Sequence, residues 1–219
     1  MNTIGHRGCR DHFPENTLAA VRGSAPHVEM VEIDVQRCAS GEIVVFHDEE
    51  LDRLTDATGP VRETPLSELS GLQIGGSGET IPTLEAVVDT LPAGTGLNVE
   101  LKHAGMAGDV LALLTDLDAE LILSSFERAA LAEVAAGAIR TAYLFGDSFG
   151  TALETAGDLS CEYVHPHHEL VTQQRVESAH DRGLSVNAWT VPTAAAVSRL
   201  RGLGVDGVIV DSWTTVPEQ

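Results

Sequence analysis

The chain has 219 residues and a hydrophobic content of 43%, enough to bury one large core. Its 33 acidic residues outnumber its 13 basic ones for a formal net charge of -20, which argues against nucleic acid and anionic membrane surfaces as partners, because both require a basic patch. Twelve of the basic residues are Arg and Lys102 is the only Lys, an acid-rich, lysine-poor composition like that of salt-in halophiles. Cys9, Cys38 and Cys161 are odd in number and widely spaced, so neither a disulfide framework nor a thiolate metal site is expected. No run has membrane-spanning length and no apolar leader opens the sequence; the expectation is a cytoplasmic protein without stable membrane insertion.

In chain order, Asn2 to His6 reads as a short strand. A helix follows from Pro14-Glu15-Asn16-Thr17 to about Gly23, with Asn16 or Thr17 as its cap. From Val31, the apolar Val31, Ile33 and Val35 alternate with Glu32, Asp34 and Gln36, the period of a strand with one greasy and one acidic face. Ser40-Gly41 then turns the chain, and the β-rich run Ile43 to Phe46 folds back as a hairpin partner that returns His47 and Asp48 beside Glu32 and Asp34. Residues 49–82 are rich in turn formers and read as a small insertion at the mouth of a single domain spanning 1–219. Within them, Thr64-Pro65 reads as a helix start and Gly75-Gly76-Ser77-Gly78 as a flexible run.

From Thr83 the pattern becomes regular. Helical segments at Leu84 to Leu91, Ala107 to Leu117, Arg128 to Ala136, Phe149 to Ala156, Gln173 to Arg182 and Ala194 to Arg201 alternate with β-rich runs. Those runs begin near Leu97, Leu121, Arg140, Glu162, Ser185 and Gly207. Gly137, Gly183 and Gly202 read as helix ends. Such alternation specifies parallel strands joined by crossover helices. Of nine strand candidates, Ile43 to Phe46 cannot be parallel to its predecessor. Eight remain, the number that closes a (β/α)8 TIM barrel. An open doubly wound sheet would carry a Gly-x-Gly-x-x-Gly turn after the first strand, and none is present.

In a barrel, chemistry gathers at the C-terminal ends of the strands. There the sequence places His6, Arg7, Glu32, Asp34, His47, Glu100, Lys102, Asn187 and Trp189, with Asn98, Glu100 and Lys102 on one strand face and Val99 and Leu101 on the other. Three carboxylates at one mouth repel one another without a cation, and all-oxygen donors suit Mg²⁺ or Ca²⁺. Two histidines can donate and accept protons near neutrality, and Arg7 and Lys102 offer positive charge to a phosphate. The opposing reading makes the acidic positions a solvated strand face and the histidines structural. Trp189 fits a pocket wall or a core filler equally, and His165, His167 and His168 suggest a second metal site that nothing else supports.

His6-Arg7-Gly8, Pro14-Glu15-Asn16-Thr17, Glu32-Ile33-Asp34, Phe46-His47-Asp48, Pro82-Thr83-Leu84-Glu85, Glu100-Leu101-Lys102, Ser125-Phe126, Ala188-Trp189-Thr190 and Asp206 to Asp211 together resemble the ordered motifs of glycerophosphodiester phosphodiesterases. The resemblance covers essentially the whole chain. It implies one divalent cation on Glu32, Asp34 and Glu100, acid/base catalysis by His6 and His47, and phosphate binding by Arg7 and Lys102 with Glu15 in support. The implied reaction is hydrolysis of a small-molecule glycerophosphodiester to an alcohol and glycerol phosphate. The alternatives are a phospholipase-like lyase that stops at a cyclic phosphate and a non-catalytic metal-binding barrel. The polar loop Cys9 to Phe13 departs from the small-residue loop expected of the family and bears on substrate choice.

Overall fold

The structure is a computed structural model that describes residues 1–135 and 137–217. Its centre is a ring of eight parallel strands: β1 (Asn2–Gly5), β2 (Met30–Arg37), β4 (Gly96–Leu101), β5 (Leu121–Ser125), β6 (Arg140–Phe145), β7 (Tyr163–Pro166), β8 (Ser185–Ala188) and β9 (Gly207–Val210). Neighbours pair in that order, and β1 closes the ring by pairing with both β2 and β9, so that Ile4 faces Met30 on one side and Ile209 on the other. Closure removes every free edge from the ring. β3 (Ile43–Val45) lies outside it, antiparallel to the end of β2 with Val35 opposite Val45, and Gly41 at a φ of 104° supplies the reversal between them. The fold is therefore the expected (β/α)8 barrel.

Seven crossovers join the eight strands. They run through α1 (Leu18–Ser24), α2 (Leu66–Leu69) and α3 (Leu84–Thr90), α4 (Ala107–Leu114), α5 (Arg128–Ala132), α6 (Phe149–Asp158), α7 (Gln173–His180) and α8 (Ala194–Gly202). Four helix starts use the same device: the hydroxyls of Thr17, Thr83, Thr172 and Thr193 accept the N–H groups of Ala20, Ala86, Arg175 and Ala196. Strand parity is as the alternation requires. Val31, Ile33, Val35, Val99 and Leu101 turn outward to pack beneath α1, α3 and α4, whereas Ile4, Met30, Ile122, Ala142 and Ile209 fill the interior of the ring.

Several local expectations change. Asn16 does not cap α1; it sits in the left-handed region at a φ of 60° and sends its amide elsewhere, leaving the cap to Thr17. Thr64 does not cap α2, because its hydroxyl donates to the Pro60 carbonyl and Pro65 itself holds the extended capping position. Gly202 remains helical, and Gly204 at a φ of 84° makes the reversal two residues later. Gly137 follows a helix that already ends at Ala132, and the expected bound at Ala136 lies outside the described residues. The glycine run near residue 76 closes a tight loop, with Gln73 bridging Thr80 and the Ile74 amide donating to the Glu79 carbonyl. The surrounding segment buries a small core of its own, in which Leu51, Val61, Leu69, Ile74 and Ile81 pack on Val44 and Phe46 of the hairpin.

Candidate active site

Period-two alternation sends Glu32 and Asp34 inward from β2 and Glu100 inward from β4, and the parallel register sets Asp34 directly beside Glu100. Oxygens of the three carboxylates lie within 4.8 Å of one another, and all three residues are buried. Each is held from a different direction. Glu32 accepts the Arg7 backbone N–H at 2.7 Å. Asp34 exchanges two hydrogen bonds with Asn16, and Lys102 Nζ donates to Asp34 at 3.2 Å and to Glu100 at 2.7 Å.

Burial and then repulsion from Asp34 and Glu100 raise Glu32 well above the usual carboxylate range, and burial with Asp34 pushes Glu100 up to about 7. Asp34 goes the other way. Burial favours its neutral form, but Lys102, His47 and Arg7 outweigh that and hold it well below its ordinary value. Three carboxylates of which two resist ionisation for want of positive charge form a donor set that a hard divalent cation would satisfy.

The two histidines are mounted alike although they come from separate loops. His6 follows β1 and its Nδ1 lies 2.6 Å from Asp211 Oδ1, at the end of β9; His47 follows β3 and its Nδ1 lies 2.6 Å from Asp48 Oδ1. A carboxylate on Nδ1 fixes the ring and the tautomer, so Nε2 is the nitrogen available for chemistry. Arg10 anchors Asp211 at 2.8 Å and Arg53, from the 49–82 segment, clasps Asp48. Burial shifts His47 downward, so its neutral form predominates at neutral pH.

One cavity of about 160 Å³ is lined by His6, Arg7, Glu32, His47, Glu100 and Trp189 among others. Asp34 stands just behind it. Arg7 is 7% exposed, lies 2.8 Å from Glu15 and places Nε 3.4 Å from Asp34 Oδ2, a distance of ion-pair contact without a hydrogen bond. Glu15 does not line the cavity. It is gripped by Arg7 and Arg53 together and so tethers the guanidinium that does. Lys102 also stays off this cavity, lining an adjacent cleft with Gln36 and His103 while its ammonium serves the carboxylates. Trp189 is a wall residue: its ring meets Phe126 edge-on at 5.3 Å and its Nε1 donates to the His165 carbonyl.

The loop after β1 carries unusual backbone. Arg7, Cys9 and Asn16 all have positive φ, a conformation that bulky residues adopt only under constraint. The constraint is visible: a side chain on Gly8 would strike Ala20 at 2.6 Å, and one on Gly5 would strike the Cys9 sulfur at 2.7 Å. Cys9 is thus a packing element, and burial pushes its thiol up to about 12. All three cysteines are free and buried.

The sequence gives no site role to Asp48, Asp211 or Arg53 and offers Asn16 only as a helix cap. For Asp48, Asp211 and Asn16 a signal was present, since each stands inside a recognised motif; Arg53 carried none. Phe126, at 44% the exposed large hydrophobic residue among the described ones, also joins the cavity wall. Asn187 is not at the mouth. It lies in the barrel interior with its amide 3.1 Å from His165 Nε2. His165, His167 and His168 make no ligand cluster; among the described residues the group of that kind is Glu32, Asp34 and Glu100.

The sequence model of the Glycerophosphoryl diester phosphodiesterase family matches residues 6–215, and the chain belongs to that family. It is 32% identical to the Bacillus subtilis protein YhdW over 96% of this chain and 94% of that one, and 30% identical to a glycerophosphodiester phosphodiesterase of Caldanaerobacter subterraneus over 97% and 95%. Among solved structures, an Oleispira antarctica phosphodiesterase in complex with the product sn-glycerol-3-phosphate superimposes with a TM-score of 0.88 at 32% identity, covering 96% of this chain and 93% of that one. The Thermotoga maritima glycerophosphodiester phosphodiesterase gives a TM-score of 0.85 at 28% identity, covering 97% and 95%.

Proposed function

We propose that this chain hydrolyses glycerophosphodiesters to an alcohol and glycerol phosphate, with His6 and His47 as the acid/base pair and Glu32, Asp34 and Glu100 as ligands of one divalent cation. The observation that carries the reading is the opening of two carboxylate-mounted histidines and the buried carboxylates Glu32 and Glu100 onto one cavity. A purely structural role explains neither the unbalanced negative charge nor the identical mounting of two histidines from different loops.

Within the reading, Arg7 binds the phosphate, kept in place by Glu15, and Lys102 adds positive charge beside the carboxylates. One histidine Nε2 takes the proton of the nucleophile and the other gives a proton to the departing alkoxide, each ring held by its aspartate. Glu32, Asp34 and Glu100 would hold the cation, Mg²⁺ or Ca²⁺ by their all-oxygen donors, and the ion would supply positive charge to the site. Trp189 and Phe126 form the apolar wall against which the alcohol portion packs. The whole chain acts as one unit in this reading, with 49–82 bracing the mouth through Arg53. No helix among the described residues is long and apolar enough to cross a membrane. The substrate in this reading is a small molecule, and the place of action proposed is the cytoplasm.

The test is turnover of a panel of glycerophosphodiesters with and without EDTA, products followed by phosphorus NMR. Chelation-sensitive release of glycerol phosphate is expected; accumulation of a cyclic phosphate identifies a lyase, and intact substrates identify a non-catalytic barrel. Repeating the assay and a melting curve in molar KCl addresses the acidic composition: a salt-in protein gains stability there, and no gain removes the halophilic reading.

A further inference from the structure

The polar loop from Cys9 to Phe13 turns away from the cavity, whose lining takes His6 and Arg7 from this part of the chain. It turns instead to the segment that follows β9. Arg10 reaches Asp211 Oδ2 at 2.8 Å, the Asp11 N–H donates to the Asp211 carbonyl at 3.1 Å, and His12 Nε2 lies 2.6 Å from Ser212 Oγ. Next along the chain, Trp213 is clamped between two imidazoles. His12 stacks on the indole with centroids 3.6 Å apart and planes 16° from parallel, and His27 stacks on it at 4.2 Å and 7°. Two rings so close to one centroid cannot share a face, so the indole is sandwiched. His27 comes from the turn between α1 and β2, which makes the stack a junction of three separate stretches of chain.

These contacts converge on backbone that needs holding. Arg7, Gly8 and Cys9 occupy the left-handed region in succession, at φ of 51°, 74° and 62°, so the loop that presents His6 keeps its shape only where its surroundings enforce it. Phe13 secures the far end of the loop on α1, where a side chain on Gly23 would overlap its ring. The stack and the Asp211 contacts secure the other side. The two functional residues of the loop depend on this latch unequally. Arg7 has holders of its own, Glu15 on its guanidinium and Glu32 on its backbone N–H. The His6 ring is mounted on Asp211, which belongs to the latched segment itself.

We infer that Trp213 is a positioning residue: stacked between His12 and His27, it latches the loop after β1 to the end of β9 and so aligns Asp211 with the His6 ring. The consequence for turnover rests on the glycerophosphodiester reading above; the alignment of the ring does not.

The test has two arms. In steady-state kinetics on a glycerophosphodiester, Trp213→Ala should lower kcat roughly tenfold or more while KM stays within about twofold, because a small displacement of a reacting group is costly and Arg7 is held separately. Trp213→Phe, which keeps an aromatic face for each imidazole, should recover most of the loss. His27→Ala, which bares one face of the indole, should show a smaller loss of the same kind. The second arm is proton–nitrogen NMR of the histidine rings at a pH where they are neutral. Wild-type His6 should show a single tautomer with its proton on Nδ1; Trp213→Ala should move it toward the mixture of an unrestrained imidazole and leave His47, mounted on Asp48, unchanged. Where Trp213→Ala does not fold, His27→Ala carries both arms.

The inference is overturned if kcat is unaffected, if KM rises as far as kcat falls, or if the His6 and His47 rings respond alike, as a general loosening of the barrel would require. A wild type that cleaves no diester, in which Trp213→Ala nonetheless releases the His6 ring alone, would refute the proposed reaction and leave the latch standing.

Discussion

Two groups of buried titratable side chains share the interior of this barrel and meet opposite fates. On the β1, β2 and β4 side, Glu32, Asp34 and Glu100 crowd together with Arg7 and Lys102. On the β7 and β8 side, His165 is fully buried beside Asn187, and burial alone lowers its imidazole to about 3. His165 resolves its burial by staying neutral, with Asn187 against Nε2. It fits because Gly207 leaves room: a Cβ there would meet the Asn187 oxygen at 2.4 Å. The carboxylates cannot all take that route, since Asp34 is held ionised chiefly by the Lys102 and Arg7 cations while Glu32 and Glu100 are driven toward their neutral forms. A lone buried base escapes the cost of charge by staying neutral; a cluster of acids that cannot all do so calls for a cation.

The contrast can be broken most severely at the groups that face the cavity. His6→Ala and His47→Ala should each lower turnover by about 10²–10⁴ while leaving the melting temperature close to that of the parent; either variant working at near-full rate would remove that residue from the reaction. Asp211→Asn keeps the shape of the His6 mount and removes its charge, so steady-state kinetics should show a smaller loss than His6→Ala, and an equal or greater loss would mean that Asp211 does more than orient the ring.

Next in size is a pH effect on cation affinity. In the cation-free protein Glu32 and Glu100 carry raised pKa values, so a cation must displace protons, and affinity measured by calorimetry should climb as pH rises through about 7. The same groups bind more protons folded than unfolded between the ordinary glutamate value and about 7. In EDTA they therefore weaken the fold as pH rises through that window, and added cation should cancel the loss. Glu100→Gln should flatten both trends; unchanged trends in that variant would place the responsible group elsewhere.

The effect with the least consequence for catalysis belongs to His165. Its folded value lies below its unfolded one, so the unfolded chain takes up the proton first and stability falls as pH drops from about 6.5 toward about 3. His165→Gln should lose this component, seen as a melting-temperature difference from wild type that shifts in favour of the variant on acidification, with catalysis at neutral pH little changed. A constant difference across that range would show that His165 is not the titrating group.

Much of this was legible in the chain. Strand periodicity exposed the inward faces of β2 and β4, because a period of two commits every second side chain to one face whatever the surroundings. The count of strands and crossovers indicated a closed barrel, and the motifs indicated which strand ends matter. Local chemistry that depends on competition was less legible. Asn16 looks like a helix cap until Asp34 is seen to hold its amide, and Thr64 looks like one until its hydroxyl turns to Pro60.

The sequence by itself determined the alternation, the eightfold repeat and the set of acids, bases and cations, since these follow from residue type and spacing along the backbone. Only the tertiary structure decided who pairs with whom: that Asp211, 205 positions from His6, mounts its ring, that Arg53 reaches Glu15 and Asp48, that Lys102 serves the carboxylates, and that His12 and His27 stack on Trp213. The reason is physical. Ring closure brings the first and last strands together, and hydrogen bonds between side chains so distant in the chain form only after the barrel has fixed their positions, so no local pattern encodes them.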